Sequence, residues 1–400
     1  IPARYGGRLS SVLDIFQKEG NSKDLKINGG IGLVASRMLV EGPLKKDQAA
    51  FLIGGRASYA HLFLPLFDVD NTAYFYDLNT KLNYKLNGTN SIFLSGYFGR
   101  DVFSISDSFV NTYGNAVGNF RWNRLFPDKL FSNLSLIYSD YYYGLKLDFV
   151  GFNWNSGIQN FNVKYDLKHY IKDNLQINYG LNNIYYQFNP GKIEPSNENS
   201  GILEEQLIEK YANEFAAYID FEHEITPELS LGYGLRFSNF NRLGQEELNV
   251  YANDEPVVFN QTLQIYQEAS PIDVLNPGRK ESLAKFNNFE PRVSLSYLLN
   301  SESSLKASYT RLAQYLHLIS NTSSPTPLDV WTPSGTFIEP QLLDQYALGY
   351  FLNIKDGDYS FETEVFYKDI QNRIDYIDGA NLIANDAIEQ VILNGEARAY

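Results

Sequence analysis

Few residues in this 400-residue chain have types and spacings suited to chemistry. There is no cysteine, so thiolate nucleophiles, disulfides and thiolate metal sites are excluded. Four histidines, His61, His169, His223 and His317, lie far apart, and a metal site would have to be mostly carboxylate. Asp68-Val69-Asp70-Asn71 and Asp356-Gly357-Asp358 are the nearest approach to a calcium site. Both lack the spacing of a calcium loop and fall where turns are expected. Asp220, Glu222 and Glu224, and likewise Glu362 and Glu364, recur at every second position. On a strand that spacing puts carboxylates on one face, as a catalytic pair or as a hydrated wall, and the wall is the favoured reading. No nucleophile elbow, phosphate loop or dinucleotide fingerprint occurs. The expectation is therefore no enzyme, no cofactor and no metal. The better binding candidates are Tyr315 and Trp331, around the proline-stiffened stretch Asn321–Pro327, whose rings suit a sugar or a peptide. A loop packed on its own tryptophan is the competing reading.

The elements that carry these residues are strands. In Gln159–Leu181, Phe161, Val163, Tyr165 and Leu167 alternate with Asn160, Asn162, Lys164 and Asp166. After Lys172-Asp173-Asn174 the alternation resumes at Leu175, Ile177 and Tyr179. This predicts an antiparallel hairpin with one apolar and one polar face. About fifteen such runs follow one another, with a sixteenth beginning near Ala397, each near the ~9–11 residues of a tilted membrane strand. Tight polar turns close every second connection, whereas Asn189–Asn213, Arg242–Asn288 and Ile319–Gln341 are long. That alternation fits an all-β, transmembrane, antiparallel up-and-down barrel with two unlike ends.

In a barrel the apolar phase meets lipid, and the polar phase lines the lumen with Asn160, Lys164, Asp166, Asp220, Glu222, Arg236, Arg292, Lys306 and Glu362. A charge at Val163 should then cost about 2–4 kcal/mol near the midplane, and one at Asn162 should be tolerated. Aromatics at Phe126, Phe131, Tyr170, Tyr297 and Tyr359, and at Tyr142, Tyr143, Tyr185, Tyr186 and Phe188, suit two interfacial girdles. From Leu134 to Leu147 the apolar phase changes near Asp140, which predicts a bulge or a strand rising above the membrane. Leu203, Leu207, Ile208 and Tyr211 have the spacing of a short amphipathic helix.

Net charge and hydropathy narrow the class. A formal charge of −14 with no basic patch argues against nucleic acid. Mean hydropathy is −0.30, and no apolar run approaches the ~20 residues of a spanning helix. A soluble β-rich carbohydrate-binding protein remains as the rival class.

Four stretches resemble a known family, the TonB-dependent outer-membrane receptors of the Bacteroidetes type. Ala3-Arg4-Tyr5-Gly6-Gly7-Arg8-Leu9-Ser10-Ser11-Val12-Leu13-Asp14-Ile15 is similar to the last strand of the family's plug domain. Leu39-Val40-Glu41-Gly42-Pro43-Leu44 resembles its first periplasmic turn. Ile319–Gly335 and Tyr367-Lys368-Asp369-Ile370-Gln371-Asn372-Arg373-Ile374-Asp375-Tyr376 resemble receptors with an upstream carboxypeptidase-regulatory-like domain. The resemblance implies that 1–23 end a plug and that 24–400 form the N-terminal two-thirds of a 22-stranded barrel. It also implies import powered by the TonB complex, a possible SusD-like surface lipoprotein partner, and contact with outer-membrane lipid and lipopolysaccharide. The TonB box and most of the plug are not in this sequence, and a sheet with bare edges is not viable in lipid, so the native chain is expected to extend past Tyr400. A receptor-fold scaffold or accessory subunit is the second implied role.

Overall fold

The computed structural model describes residues 1–106, 108–198, 200–320, 329–355, 358–382 and 384–400. Asn321–Pro327 and Asp356-Gly357 from the sequence reading lie outside the described residues. Strands run in chain order as β1 (Lys26–Ile31), β2 (Ala35–Lys45), β3 (Ala49–Ser58), β4 (Asn71–Lys85), β5 (Asn90–Ile105), β6 (Phe109–Phe126), β7 (Leu130–Leu147) and β8 (Phe152–Lys172). They continue as β9 (Leu175–Pro195), β10 (Lys210–Glu224), β11 (Leu229–Leu243), β12 (Ser282–Leu298), β13 (Ser303–Gln314), β14 (Gln341–Ile354), β15 (Tyr359–Tyr376) and β16 (Ile392–Ala399). Each pairs antiparallel with its chain neighbours, and Glu205–Gln206 adds a short seventeenth strand on β9. β1 and β16 are the edges of this one sheet.

Period-two alternation sets which side each residue takes, and the register locks it across strands. Val293 lies opposite Tyr233 and Tyr309, and Leu348 opposite Val365, on a face where apolar side chains stand exposed. The other face carries the charges and is crossed by residues 1–20. Ala3 touches Asp220 on β10, while Gln17 and Lys18 reach Asn79 on β4 and Glu41 on β2. Strands eight apart in order thus share one interior, which requires the sheet to curl.

The outer apolar band ends at a line of polar residues about ten residues from the short turns. Gln159 donates to Asp140 at 3.3 Å, Asn213 to Asn183 at 3.1 Å and Asn239 to Asn287 at 2.8 Å. Farther round, Arg311 pairs with Asp344 at 3.1 Å. This belt explains the phase change in β7. The register of β7 runs unbroken against both β6 and β8 through Asp140, so there is no bulge. Above the belt Tyr143, Leu145 and Leu147 turn inward instead, where Leu145, Trp154, Ile193, Leu207 and Val330 form a buried cluster.

Several expectations are corrected by the same packing. Tyr186 and Phe188 belong to a buried inner cluster with Ala212, Phe240 and Tyr315, so they form no girdle. Residues 203–211 are not helical, because Glu205–Gln206 pairs with β9 and Tyr211 is already in β10. Gly42-Pro43 sits inside β2 rather than in a turn, at a register shift where proline's missing N–H is tolerated. β3 ends at Ser58 and residues Ala60–Phe67 form a 3-10 helix. β6 starts at Phe109, well before the turn-proximal apolar run, and pairs with β5 from its first residue. Val12–Ile15 form no strand. A strand needs a ladder partner, and among the described residues this exposed segment pairs with no strand.

Candidate functional site

The inner wall is built around four charges shut from solvent: Glu214, Arg236, Glu290 and Arg292. Adjacent strands bring them together because all four are in the polar phase and Arg236 on β11 is registered opposite Glu290 on β12. Arg236 pairs with Glu214 at 3.5 Å and with Glu290 at 3.7 Å, and Arg292 pairs with Glu290 at 3.0 Å. Ser238 donates to Glu290 at 2.8 Å, and Tyr186 donates to Glu214 at 3.3 Å. Pairing of this kind lets buried charges persist, although among the described residues Arg236 Nε and Nη1 and Arg292 Nε have no hydrogen-bond partner.

Residues 1–9 lie against this wall. The Ala3 amide donates to Asp220 at 2.7 Å, and Arg292 donates to the carbonyls of Ile1 and Pro2. Arg236 presses on Gly6, where a Cβ would have no room, and Gly7 has φ +75° beside Glu214. The Tyr5-Gly6-Gly7 stretch is therefore shaped to this wall. Lys164, paired with Asp166 at 3.6 Å, lies 5.4 Å from the Tyr5 ring. Leu9 completes the contact in a small buried cluster with Leu312 and Leu343.

The remaining expected wall residues are less concentrated. Asn160 donates weakly to Ser139 at 3.5 Å, and Asp166 accepts from Tyr218. Glu222 accepts from Asn178 at 3.1 Å and shares a cavity of about 640 Å³ with Lys306 at the short-turn end. Glu362 is exposed on β15 and joins neither group.

Above the wall the long connections pack together, with Ile319, Ile338, Ile377, Leu382, Ile388 and Val391 in one core. The two expected ligand residues have different fates. Tyr315 is 0% exposed, stacked on Phe240 at 4.7 Å, with its hydroxyl bonded to Ser238 and Asn288, so it presents no face to a ligand. The reason is chain direction: Tyr315 directly follows β13 and turns into the wall. Trp331 sits on the ribbon pairing Leu316–Ile319 with Val330–Pro333 and borders two cavities. One, about 380 Å³, is lined by Tyr113, Tyr141, Tyr143 and Trp331. Among the described residues neither the Tyr143 hydroxyl nor Asn111 Oδ1, both buried there, has a hydrogen-bond partner. Sequence reading missed Tyr113 and Tyr141 because only the β6–β7 register and the fold of the distant ribbon bring them together.

His317 belongs to this ribbon, opposite Thr332, with its ring buried. Gln341 donates to its Nδ1 at 3.3 Å, so Nε2 carries the proton and donates to Ser334 at 2.8 Å. Burial, assisted by Arg8, pushes its pKa down to about 3. A histidine held neutral when folded contributes its full stability above its unfolded pKa of about 6.5 and loses it as the pH falls toward the folded value. The expected loss is about 2 kcal/mol by pH 5, and His317→Gln should flatten that dependence in unfolding titrations between pH 8 and pH 5.

An antiparallel wall, apolar outside and charged inside, with packed loops over one end, is the architecture of outer-membrane β-barrels. The family described as TonB dependent receptor-like, beta-barrel, matches residues 46–400, and the chain belongs to it. No curated protein matches the chain. Among solved structures it is similar to the hemophore receptor HasR of Serratia marcescens, at 12% identity and TM-score 0.65, covering 96% of this chain and 60% of that one. It is also similar to the ferric-catecholate import receptor Fiu of E. coli K12, at 11% identity and TM-score 0.63, covering 95% and 62%. The ferripyoverdine receptor of the Pseudomonas aeruginosa outer membrane is comparable, at 14% identity and TM-score 0.63, covering 90% and 50%. At such identities the likeness is one of fold, and the chain spans about half to three-fifths of their length. Members and neighbours of this family are receptors and transporters, not enzymes. No helix among the described residues is long and apolar enough to cross a membrane, which says nothing about crossing by strands.

Proposed function

We propose that this chain forms the N-terminal two-thirds of a 22-stranded outer-membrane barrel that imports a bulky ligand under the power of the TonB complex. Residues 1–23 are the C-terminal end of its plug, and Asn160, Lys164, Asp166, Asp220, Glu222, Arg236, Arg292, Lys306 and Glu362 line its lumen. The observation that carries this reading is the seating of residues 1–9 on the buried Glu214–Arg236–Glu290–Arg292 wall. A wall that solvates an irregular segment through side chains can release it without breaking a β-ladder, as a movable plug requires.

The cargo is a glycan, a peptide or a metal chelate. Aromatic rings with amide and hydroxyl groups at the Trp331 cavity suit the first two, and the iron- and heme-related neighbours favour the third. A SusD-like surface lipoprotein over the loop end is the partner a Bacteroidetes-type receptor would use. Heat-modifiable migration of the membrane-extracted protein tests the barrel, and solubility without detergent would overturn it. Growth of a deletion strain on defined glycans, peptides and iron complexes tests the transport. The expected result is a defect on one class, reproduced when TonB is removed. Uptake indifferent to TonB would instead make the protein a scaffold or accessory subunit.

A further inference from the structure

A second cavity borders Trp331 on the side away from the tyrosines. It measures about 500 Å³ and lies between residues 8–10, the His317–Gln341 pair and the upper part of β15, a size usual for small-ligand sites. Three cations line it, Arg8, Lys368 and Arg373, and among the described residues no aspartate or glutamate does. None of the three forms an ion pair among the described residues. Arg8 donates to the Gly7 carbonyl at 2.7 Å and lies 5.7 Å from the Trp331 ring, while Lys368 lies 5.3 Å from the Phe366 ring. In a chain with 47 acidic against 33 basic side chains, three uncompensated cations around one void form a local field opposite to that of the whole.

The backbone is adapted to bring one of them there. Lys368 and Ile370 face inward, opposite Gln345 and Leu343. Strict alternation would send Arg373 to the outer face. Asn372 breaks the alternation, with φ 55°, a register shift between Gln371 and Arg373, and a side-chain hydrogen bond of 3.0 Å to the Pro340 carbonyl. Bulges of this kind re-aim a side chain, and past this one Arg373 lines the cavity beside Ile374 and Tyr376. Around the cations the lining is neutral and rich in hydrogen-bonding groups, including Gln314, Gln341 and Tyr376.

We propose that this cavity binds an anionic group, a carboxylate or a phosphate, with Arg8, Lys368 and Arg373 as its binding residues and Trp331 as one wall. It rests on the transporter reading only in taking the bearer of that group to be cargo. Guanidinium and ammonium groups give such an anion short, charge-assisted hydrogen bonds. The acidic lumen lower down then does not define the cargo's charge, because selection takes place at a cationic site above it.

Equilibrium titration of the intact receptor, purified in detergent, tests this with inorganic phosphate, D-glucuronate and D-glucose as probes. At least one anion should bind, glucose should not, and affinity should fall with added salt. Phosphate alone identifies a phosphate-bearing ligand, and glucuronate alone identifies a carboxylate. Arg373→Gln and Lys368→Gln should each weaken binding about tenfold, or about 1.4 kcal/mol, while Arg373→Lys should retain part of it. Heat-modifiable migration establishes that each variant is folded. The proposal is wrong if neither anion binds the wild-type protein, if glucose binds as well, or if folded glutamine variants bind undiminished. Binding in detergent needs no energy source, so intact binding without TonB-driven uptake would defeat the transporter reading and leave this site standing.

Discussion

Glu290→Ala is expected to lower stability by about 3–5 kcal/mol, the usual cost of removing one partner from a buried ion pair. Glu290 lies between two guanidinium groups, at 3.7 Å from Arg236 and 3.0 Å from Arg292, and its side chain is 1% exposed. Without it both arginines are left with less compensation in a place where water cannot replace the carboxylate. Urea unfolding in detergent measures the loss. Replacing Glu214, Arg236, Glu290 and Arg292 together by methionine or leucine should recover most of it, because desolvation costs vanish with the charges. The fourfold variant should nevertheless release residues 1–9, where the Ile1 and Pro2 carbonyls depend on Arg292, and trypsin cleavage at Arg4 or Arg8 would show it. A fourfold variant as unstable as Glu290→Ala would mean that the charges matter for packing alone.

The second large effect is expected on the outer face. Val293→Arg should cost about 2–4 kcal/mol in a bilayer, whereas Ser294→Arg, one residue on and facing the cavity at the short-turn end, should be tolerated. Val293 is 45% exposed, with Tyr233 and Tyr309 as its cross-strand neighbours, in the middle of an apolar band. Val163, the position that alternation alone suggests for this test, faces Asn183 near the upper rim of the band, and arginine there should cost less than at Val293. Equal costs at Val293 and Ser294, measured by refolding into lipid vesicles, would refute the assignment of faces.

Why the strands were legible and the site only half so is a matter of range. Period two is local, so the facing of Lys164, Asp220, Arg236 and Arg292 followed from a few residues of context. Partnership is not local: Glu214, Arg236 and Glu290 are contiguous only because β10, β11 and β12 pair in one register. Periodicity also misled where its cause changed. Tyr186 and Phe188 keep an apolar pattern above the belt, but there it marks inward packing rather than contact with lipid. Asn372 shows the opposite failure, since its positive φ and the register shift beside it are not announced by the alternation around it. The irregular course of residues 1–24 was hidden because alternating composition promises a strand only where a partner exists.

The polar belt has one more consequence. β8 and β9 are 21 residues long, about twice what the bilayer requires. The half beyond the Asn183–Asn213 and Asn239–Asn287 pairs stands as a rigid turret in water, about 25 Å tall for ten tilted residues. Substitutions in the turret change what the loops can hold without altering the cost of insertion, and substitutions below it do the reverse. On the proposed transporter reading, ligand preference can therefore drift in the turret while the anchorage stays fixed.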